Sequence, residues 1–409
     1  LVRYLLLNLI VICFAFGAKA PDISFVGYVN LRDGLGRIPV EMIDALKDRF
    51  DVAFTPNSNY VVLNDIPRDV VKIVEKKRPL GRIVFYNDFM HGDDKLLKQL
   101  FPKDNPDQIR IAYSMFEATK LPPHWVKQLN KYFDVIAVPD EFLVQVYKDS
   151  GIKLPVFVVP HGLDLTPFLK RPLKKERGKV FTFGNYGSCL HRKNHLGLVK
   201  AFNRAFGKRD DVRLVLNART SEAQVKARLE RELRKLKAKN IVFQQKVLSK
   251  EDYFKRFMET DCLVNLSKGE GFSIQPREAM ALGIPTLITD NTAQTTICRT
   301  GLTLVVPSRR RVAAYFPGLH GTFGYNFEFD IRDAVRAMVE MVDNYDRYLS
   351  MGSKARDWVS QYDYSKITKL YEVLFAPKEV ILGKTNRIVG NNLETNCRDL
   401  YHKYKNVGL

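Results

Sequence analysis

The chain has 409 residues, 45% of them hydrophobic and 11% aromatic, which excludes a disordered or fibrous protein and exceeds one ordinary core, so two domains are expected. Its formal net charge is +20, with cations crowding Lys170 to Lys246. Such a surface attracts phosphates, whether of nucleic acid, anionic lipid or a nucleotide-sugar. Five scattered cysteines (Cys13, Cys189, Cys262, Cys298 and Cys397) lack CxxC spacing, which argues against a disulfide framework or zinc site and implies reduced thiols.

From the amino terminus, Tyr4 to Gly17 is almost unbroken apolar sequence behind Arg3, followed by Ala18-Lys19-Ala20. This leader, residues 1–20, reads as a secretory signal, an interfacial anchor or sequence upstream of the true start, and it is short for a membrane span. Beyond it, apolar runs alternate with amphipathic ones. Strands are expected at Ile23–Tyr28, Asp51–Thr55, Arg82–Tyr86, Arg110–Tyr113, Val135–Pro139 and Val156–Pro160, with a helix over Pro39–Phe50. A Lys-, Arg- and Pro-rich break over 166–179 reads as a linker. A second series follows at Val180–Phe183, Val212–Leu216, Ile241–Phe243, Cys262–Asn265, Thr286–Thr289 and Leu302–Val306. Between them, a helix over Ser221–Lys239 places Val225, Leu229, Leu233 and Leu236 on one face and Arg and Lys on the other. Ser249 with Asp252 reads as a capping box. The alternation predicts an α/β protein of two doubly wound parallel-sheet domains, 21–165 and 180–350, then helices over 351–375 and a polar tail, 376–409.

The most informative segment runs from Gly269 to Pro285, GEGFSIQPREAMALGIP. Glu270 lies in a Gly-flanked loop and Glu278 opens a helix eight positions later. A carboxylate accepts two hydroxyl hydrogen bonds from one sugar, so two of them can hold two sugars. Free N–H groups at the helix start favour anionic or oxygen-rich ligands. A second patch couples Gly184 and Gly187 to Arg192-Lys193 ahead of a helix over Leu196–Phe206. Two fixed cations there would neutralise a departing diphosphate, provided a turn or helix start aims both the same way.

The Gly269–Pro285 segment resembles the two-glutamate signature of retaining GT-B glycosyltransferases, sequence family four (glycosyl transferases group 1), with Ser-Ile-Gln-Pro where members commonly carry Gly-Leu-Pro. The resemblance implies two Rossmann-like domains facing a central cleft. It makes Glu278 the ribose ligand, and Glu270 the donor-sugar ligand with backbone help from Gly271, Phe272, Ser273 and Ile274. It makes Arg192 and Lys193 the diphosphate cations. Gly34 and Gly36 resemble the family's glycine loop, and Val158–Asp164 its interdomain segment, with His161 where Asn is common. Asp357 to Tyr371 resembles the helices that cross back to the first domain. His91 and Glu117 are candidates for the acceptor side, where family members place a histidine. Transfer in this fold proceeds by front-face attack with no protein nucleophile. No cofactor or metal is expected, the Asp93-Asp94 pair lacking other ligands nearby.

The reading is therefore a retaining hexosyltransferase, using a UDP- or GDP-sugar donor and a glycan or lipid-linked acceptor. The expected location is cytoplasmic and peripheral on an anionic membrane, the secretory route staying open through the leader. Two alternatives remain at this level. One is a phosphorylase or nucleotide-sugar epimerase of the same fold, although no lysine-centred cofactor site is evident. The other is a basic, non-catalytic nucleotide- or membrane-binding protein. No specific nucleic-acid module is recognisable.

Overall fold

The computed structural model describes residues 19–31, 34–90, 94–102 and 108–368. The apolar leader to residue 18, His91, Asp93, Cys13, Cys397 and the tail from 369 lie outside the described residues.

The first lobe is a six-stranded sheet of β1 (Ile23–Asn30), β2 (Val52–Val62), β3 (Ile83–Asn87), β4 (Ile109–Tyr113), β5 (Val135–Val138) and β6 (Val156–Val158). Their spatial order is β2-β1-β3-β4-β5-β6, with every pairing parallel. Strands β1, β3, β4 and β5 are buried along their whole length. They are apolar runs without alternation because helices cover both faces of a parallel sheet. Helix Arg37–Leu46 packs Ile38, Val40, Met42, Ile43 and Leu46 inward, at the spacing of one helical face.

The second lobe contains β7 (Phe181–Asn185), β8 (Val212–Ala218), β9 (Ile241–Gln245), β10 (Cys262–Asn265), β11 (Thr286–Asp290) and β12 (Leu304–Pro307). Their order, β12-β11-β10-β7-β8-β9, is that of the dinucleotide-binding fold, again with parallel pairings. The Lys- and Arg-laden helix covers Ala223–Leu236, with Leu229 fully buried and Val225, Leu233 and Leu236 partly so. The Ser249 hydroxyl accepts from the Asp252 N–H at 3.0 Å and caps helix Lys250–Met258. Cys189 and Cys262 are buried free thiols.

Three segments hold the lobes together. The 166–179 stretch begins with a short helix, Thr166–Leu169, whose Phe168 packs on Phe254 and Phe257. Lys174 then pairs with buried Asp261 at 2.8 Å. The chain returns to the first lobe after helix Gly352–Val359: the Leu163 N–H donates to Tyr362 O, and the Tyr364 hydroxyl donates to Glu41. The third is an antiparallel hairpin that the sequence pattern did not reveal, β13 (Arg310–Phe316) and β14 (Gly321–Glu328), which joins neither main sheet. Among the described residues, no helix is long and apolar enough to cross a membrane.

Candidate active site

Open parallel sheets bind ligands beyond the carboxyl ends of their strands, where the strand order reverses. In the first lobe that point lies between β1 and β3, and in the second between β7 and β10. The loops leaving these strands line a single cleft of about 1270 Å³.

The second-lobe side of the cleft is built from two loops tied together by their backbones. After β7, a turn at His191–Lys193 leads through Asn194, at φ 56°, into helix His195–Phe206. After β10 comes the Ser267–Ser273 loop, and the Lys268 N–H donates to Arg192 O at 2.7 Å. The turn aims both cations at one carboxylate. Arg192 Nη1 donates to Glu270 Oε2 at 3.0 Å, and Lys193 Nζ donates to Oε1 at 2.5 Å. The Ser267 hydroxyl adds a donation at 2.6 Å, and the Thr292 hydroxyl accepts from the Glu270 N–H. Burial alone would raise the Glu270 carboxyl, but Lys193 and Arg192 outweigh it and hold it at about 2. Burial lowers the Lys193 ammonium against the pull of Glu270. Arg192 also reaches across the cleft to Glu117 at 2.9 Å, so one guanidinium joins both lobes.

Glu278 sits a turn into helix Ile274–Ala281, buried at the edge of the same cleft. The Tyr253 hydroxyl donates to its Oε2 at 2.6 Å, and Arg37 of the first lobe approaches Oε1 at 3.5 Å. Arg37 itself is anchored on Glu41 at 2.8 Å. Tyr253 and Arg37 carried no signal in the sequence: Arg37 reaches Glu278 across 241 positions, and the only hint was its place in the turn after Gly34 and Gly36.

The remaining candidates divide. Gly271, Phe272, Ser273 and Ile274 line the cleft, as does Gly34, where a Cβ would stand 3.3 Å from Ile274 Cδ1. Glu117 lines it too. Gly36 and Gly184 do not. A Cβ on Gly36 would meet Tyr28 and Asn30, and one on Gly184 would meet Tyr186 and Thr260, so both serve packing. His161 is buried beside Phe272, its ring kept neutral by burial.

Ser273 adopts φ 67°, the left-handed region that glycine enters freely. What holds the loop in this shape is Arg277, a residue the sequence reading passed over. It is 0% exposed, donates to the Phe272 and Ser273 carbonyls, and stacks on Phe272 at 3.9 Å and Tyr362 at 4.7 Å. Its nearest carboxylate is Asp140 of the first lobe, 4.0 Å away, which burial raises to about 6.

Comparison with known proteins bears on this geometry. Residues 177–316, spanning β7 to the hairpin, match the family model described as glycosyl transferases group 1. The second lobe is thus the part of the chain that is similar to group 1 glycosyl transferases. Three quarters of the chain resembles an uncharacterized glycosyltransferase, 335, of Sulfolobus islandicus rod-shaped virus 1. The two are 22% identical over 332 residues, 75% of this chain and 95% of the relative. It also resembles the uncharacterized glycosyltransferase MJ1059 of Methanocaldococcus jannaschii, at 24% identity over 43% of this chain and 42% of that one. Among solved structures, a glycosyltransferase from Rickettsia africae superposes with a TM-score of 0.63 at 14% identity, covering 88% of this chain and 99% of its own. Anabaena HepE in complex with UDP-glucose gives 0.61 at 11% identity, over 86% and 99%. The fold is therefore GT-B, with the second lobe contributing Glu270, Glu278, Arg192 and Lys193 to the cleft.

Proposed function

We propose that the protein transfers a hexose from a UDP- or GDP-sugar to a hydroxyl of a glycan or lipid-linked acceptor, with retention at the anomeric carbon. The observation that carries this reading is the cluster of buried Glu270 with half-buried Arg192 and Lys193 at the β7/β10 switch point, with Glu278 one helix start away. The two cations are already partly desolvated and fixed on Glu270, which favours a diphosphate whose charge grows as its bond to the sugar breaks. Glu278 accepts the ribose hydroxyls by exchanging its contacts with Tyr253 and Arg37. Glu270, an anion at every physiological pH, accepts hydroxyls of the transferring sugar while keeping the cations in place. The neighbouring structures contain UDP and UDP-glucose, which supports a nucleotide-sugar donor here.

In this reaction the bond from C1 to the leaving phosphate oxygen breaks, and a bond from C1 to the acceptor oxygen forms on the same face. The acceptor's proton passes to a β-phosphate oxygen. Arg192 and Lys193 carry the charge that a divalent cation carries in other transferases, so turnover is expected to persist with chelator present. The exposed Arg228, Arg231, Arg234 and Lys235 of helix Ala223–Leu236 support docking at an anionic surface, seen as salt-sensitive vesicle binding.

The test is nucleotide release from a panel of UDP- and GDP-sugars, with calorimetric titration of UDP and GDP into wild type and Glu278→Ala. Loss of a charged hydrogen-bond acceptor should weaken binding by roughly 10- to 100-fold, from about 1.5–3 kcal/mol. Unchanged affinity in Glu278→Ala removes its ribose role, and no nucleotide binding to wild type removes the transferase reading.

A further inference from the structure

The hairpin β13–β14 belongs to the second lobe in sequence but is sewn to both. On the first-lobe side, the Tyr325 N–H donates to the Thr119 hydroxyl at 2.9 Å, and Asn326 Nδ2 donates to Glu117 O at 2.8 Å. Phe316 stacks on Phe116 at 4.6 Å, and Ala314 is buried in the first-lobe core. On the second-lobe side, the Phe327 N–H donates to Lys268 O at 2.8 Å, and the Phe327 carbonyl accepts from the Ser308 hydroxyl at 2.9 Å. Ser308 in turn accepts from Asn291 Nδ2, which also donates to Ser267 O in the Glu270 loop.

These two arms end on one residue, Arg192. Lys268, which receives the Phe327 N–H, uses its own N–H to hold Arg192 O at 2.7 Å. Glu117, which receives Asn326, uses its carboxylate to hold Arg192 Nη2 at 2.9 Å. Consecutive hairpin residues therefore fix the backbone of Arg192 from one lobe and the carboxylate before its guanidinium from the other. The junction is tight. A Cβ on Gly269 would stand 2.2 Å from Glu117 O and 2.6 Å from Asn326 Nδ2, so first lobe, Glu270 loop and hairpin converge with no room for another side chain. Asn326 is only 2% exposed, so water does not readily replace its donation to the Glu117 carbonyl.

The guanidinium needs this second hold. Nη1 donates to Gly269 O and to Glu270 Oε2, each at 3.0 Å, and both partners lie on the second lobe. Glu117 takes Nη2 from the opposite side and so sets the plane of the fork, which delivers its donors in one orientation only. A cation that stabilises growing charge must already be in place when the bond breaks.

Building on the transferase reading, we infer that Asn326 is a positioning residue for transfer. It holds Glu117 where that carboxylate orients the Arg192 guanidinium, and the hairpin thereby makes the reactive geometry of Arg192 conditional on contact between the lobes.

The experiment measures nucleotide release from UDP-glucose and GDP-mannose by wild type, Asn326→Ala, Glu117→Ala, their double variant and Thr119→Ala. Asn326→Ala should lower kcat about five- to tenfold, the scale of one buried hydrogen bond, with donor KM nearly unchanged. Because Asn326 acts through Glu117, adding Asn326→Ala to Glu117→Ala should cost at most about twofold more, whereas independent sites would multiply. Thr119→Ala removes a neighbouring bond of the hairpin to the first lobe without touching Glu117, and should leave kcat unchanged. Asn326→Leu, similar in shape but without the donor, repeats the test if the alanine variant fails to fold. A crystal structure of the Asn326 variant should show the Glu117–Arg192 pair lost, a result that does not depend on turnover. Retention of that pair, an unchanged kcat, multiplying losses in the double variant or an equal loss in Thr119→Ala overturns the inference. Absence of UDP and GDP binding to wild type, with the pair lost in the variant, sinks the transferase reading and leaves the hairpin's hold on Arg192 standing.

Discussion

Both sides of the cleft end parallel strands at a reversal of strand order, yet they carry different chemistry. The second-lobe side brings Arg192, Lys193, Arg219, Lys246 and Lys250 to the surface of the cleft, and the first-lobe side brings carboxylates and open aromatic rings. The same backbone device therefore presents mainly cations from one lobe and mainly carboxylates from the other, and the side chains on the loops decide which. The lobes are also joined differently at two of their contacts. Arg192 bridges Glu117 and Glu270 where the cleft is open to a ligand. Arg277 faces Asp140 where it is sealed. The first contact suits exchange with substrate, and the second suits permanence.

That contrast is broken most severely at Arg277. Arg277→Met keeps the apolar stem between Phe272 and Tyr362 but removes the donors to two loop carbonyls and leaves Asp140 buried without its cation. Stability should fall by about 3–5 kcal/mol, the usual cost of removing one partner of a buried pair. A denaturant midpoint within error of wild type would show that the cage does not need the charge. At the open contact, Glu270→Gln preserves shape and removes the carboxylate that neutralises Arg192 and Lys193. Nucleotide affinity should hold or rise, because the cations are released to phosphate. Turnover should drop roughly 10²- to 10³-fold, the scale of losing one transition-state contact. Parallel loss of affinity and rate would mean that Glu270 only orders the loop.

These two residues also show what the sequence could and could not reveal. Most strands of the two sheets were legible because buried parallel strands are nearly continuous apolar runs, and Glu270 and Arg192-Lys193 were legible because a carboxylate among glycines and paired cations at a strand end are chemically conspicuous. Arg277 was invisible: an arginine in a polar-looking helix start reads as solvated surface, and only the fold brings Phe272, Tyr362 and Asp140 around it. The hairpin, by contrast, was passed over although its return strand alternates Phe323, Tyr325 and Phe327 with Gly324, Asn326 and Glu328, the period of a half-buried strand. Gly184 was read as ligand-facing because glycine allows close approach, and Gly36 because its turn resembles the family's glycine loop, but what approaches both is protein.

The sealed contact has a pH signature. Burial holds the Asp140 carboxyl at about 6 in the folded chain, above its ordinary value. Between those values the folded state binds more protons than the unfolded state, so this group's contribution to stability falls as pH rises through that window. Asp140→Asn should remove the trend, changing the wild-type-minus-variant stability by about 1 kcal/mol between pH 5 and pH 6. A difference that stays flat would place Asp140 in the ordinary carboxylate range. Glu270 titrates at about 2, so its contribution, present above the unfolded carboxylate pKa, is lost only as pH falls through that value, outside the tested range.

The smallest effect expected lies beside Glu270 itself. Ser273 starts helix Ile274–Ala281 from φ 67° and ψ 70°, held there by Arg277 donating to its carbonyl at 3.1 Å. A left-handed L-residue costs about 1–2 kcal/mol; glycine in its place removes that strain but costs about 0.4–1 kcal/mol through the greater freedom of the unfolded chain. Ser273→Gly should therefore stabilise the protein by about 0.5–1 kcal/mol. Among the described residues, the serine hydroxyl's hydrogen bond is a long one from Asn265 Nδ2, 3.4 Å. Melting temperature and donor KM together decide the point. A rise in the first with the second unchanged makes the strain at Ser273 purely structural. A rise accompanied by weaker donor binding means that the serine hydroxyl, rather than the backbone beside it, meets the sugar.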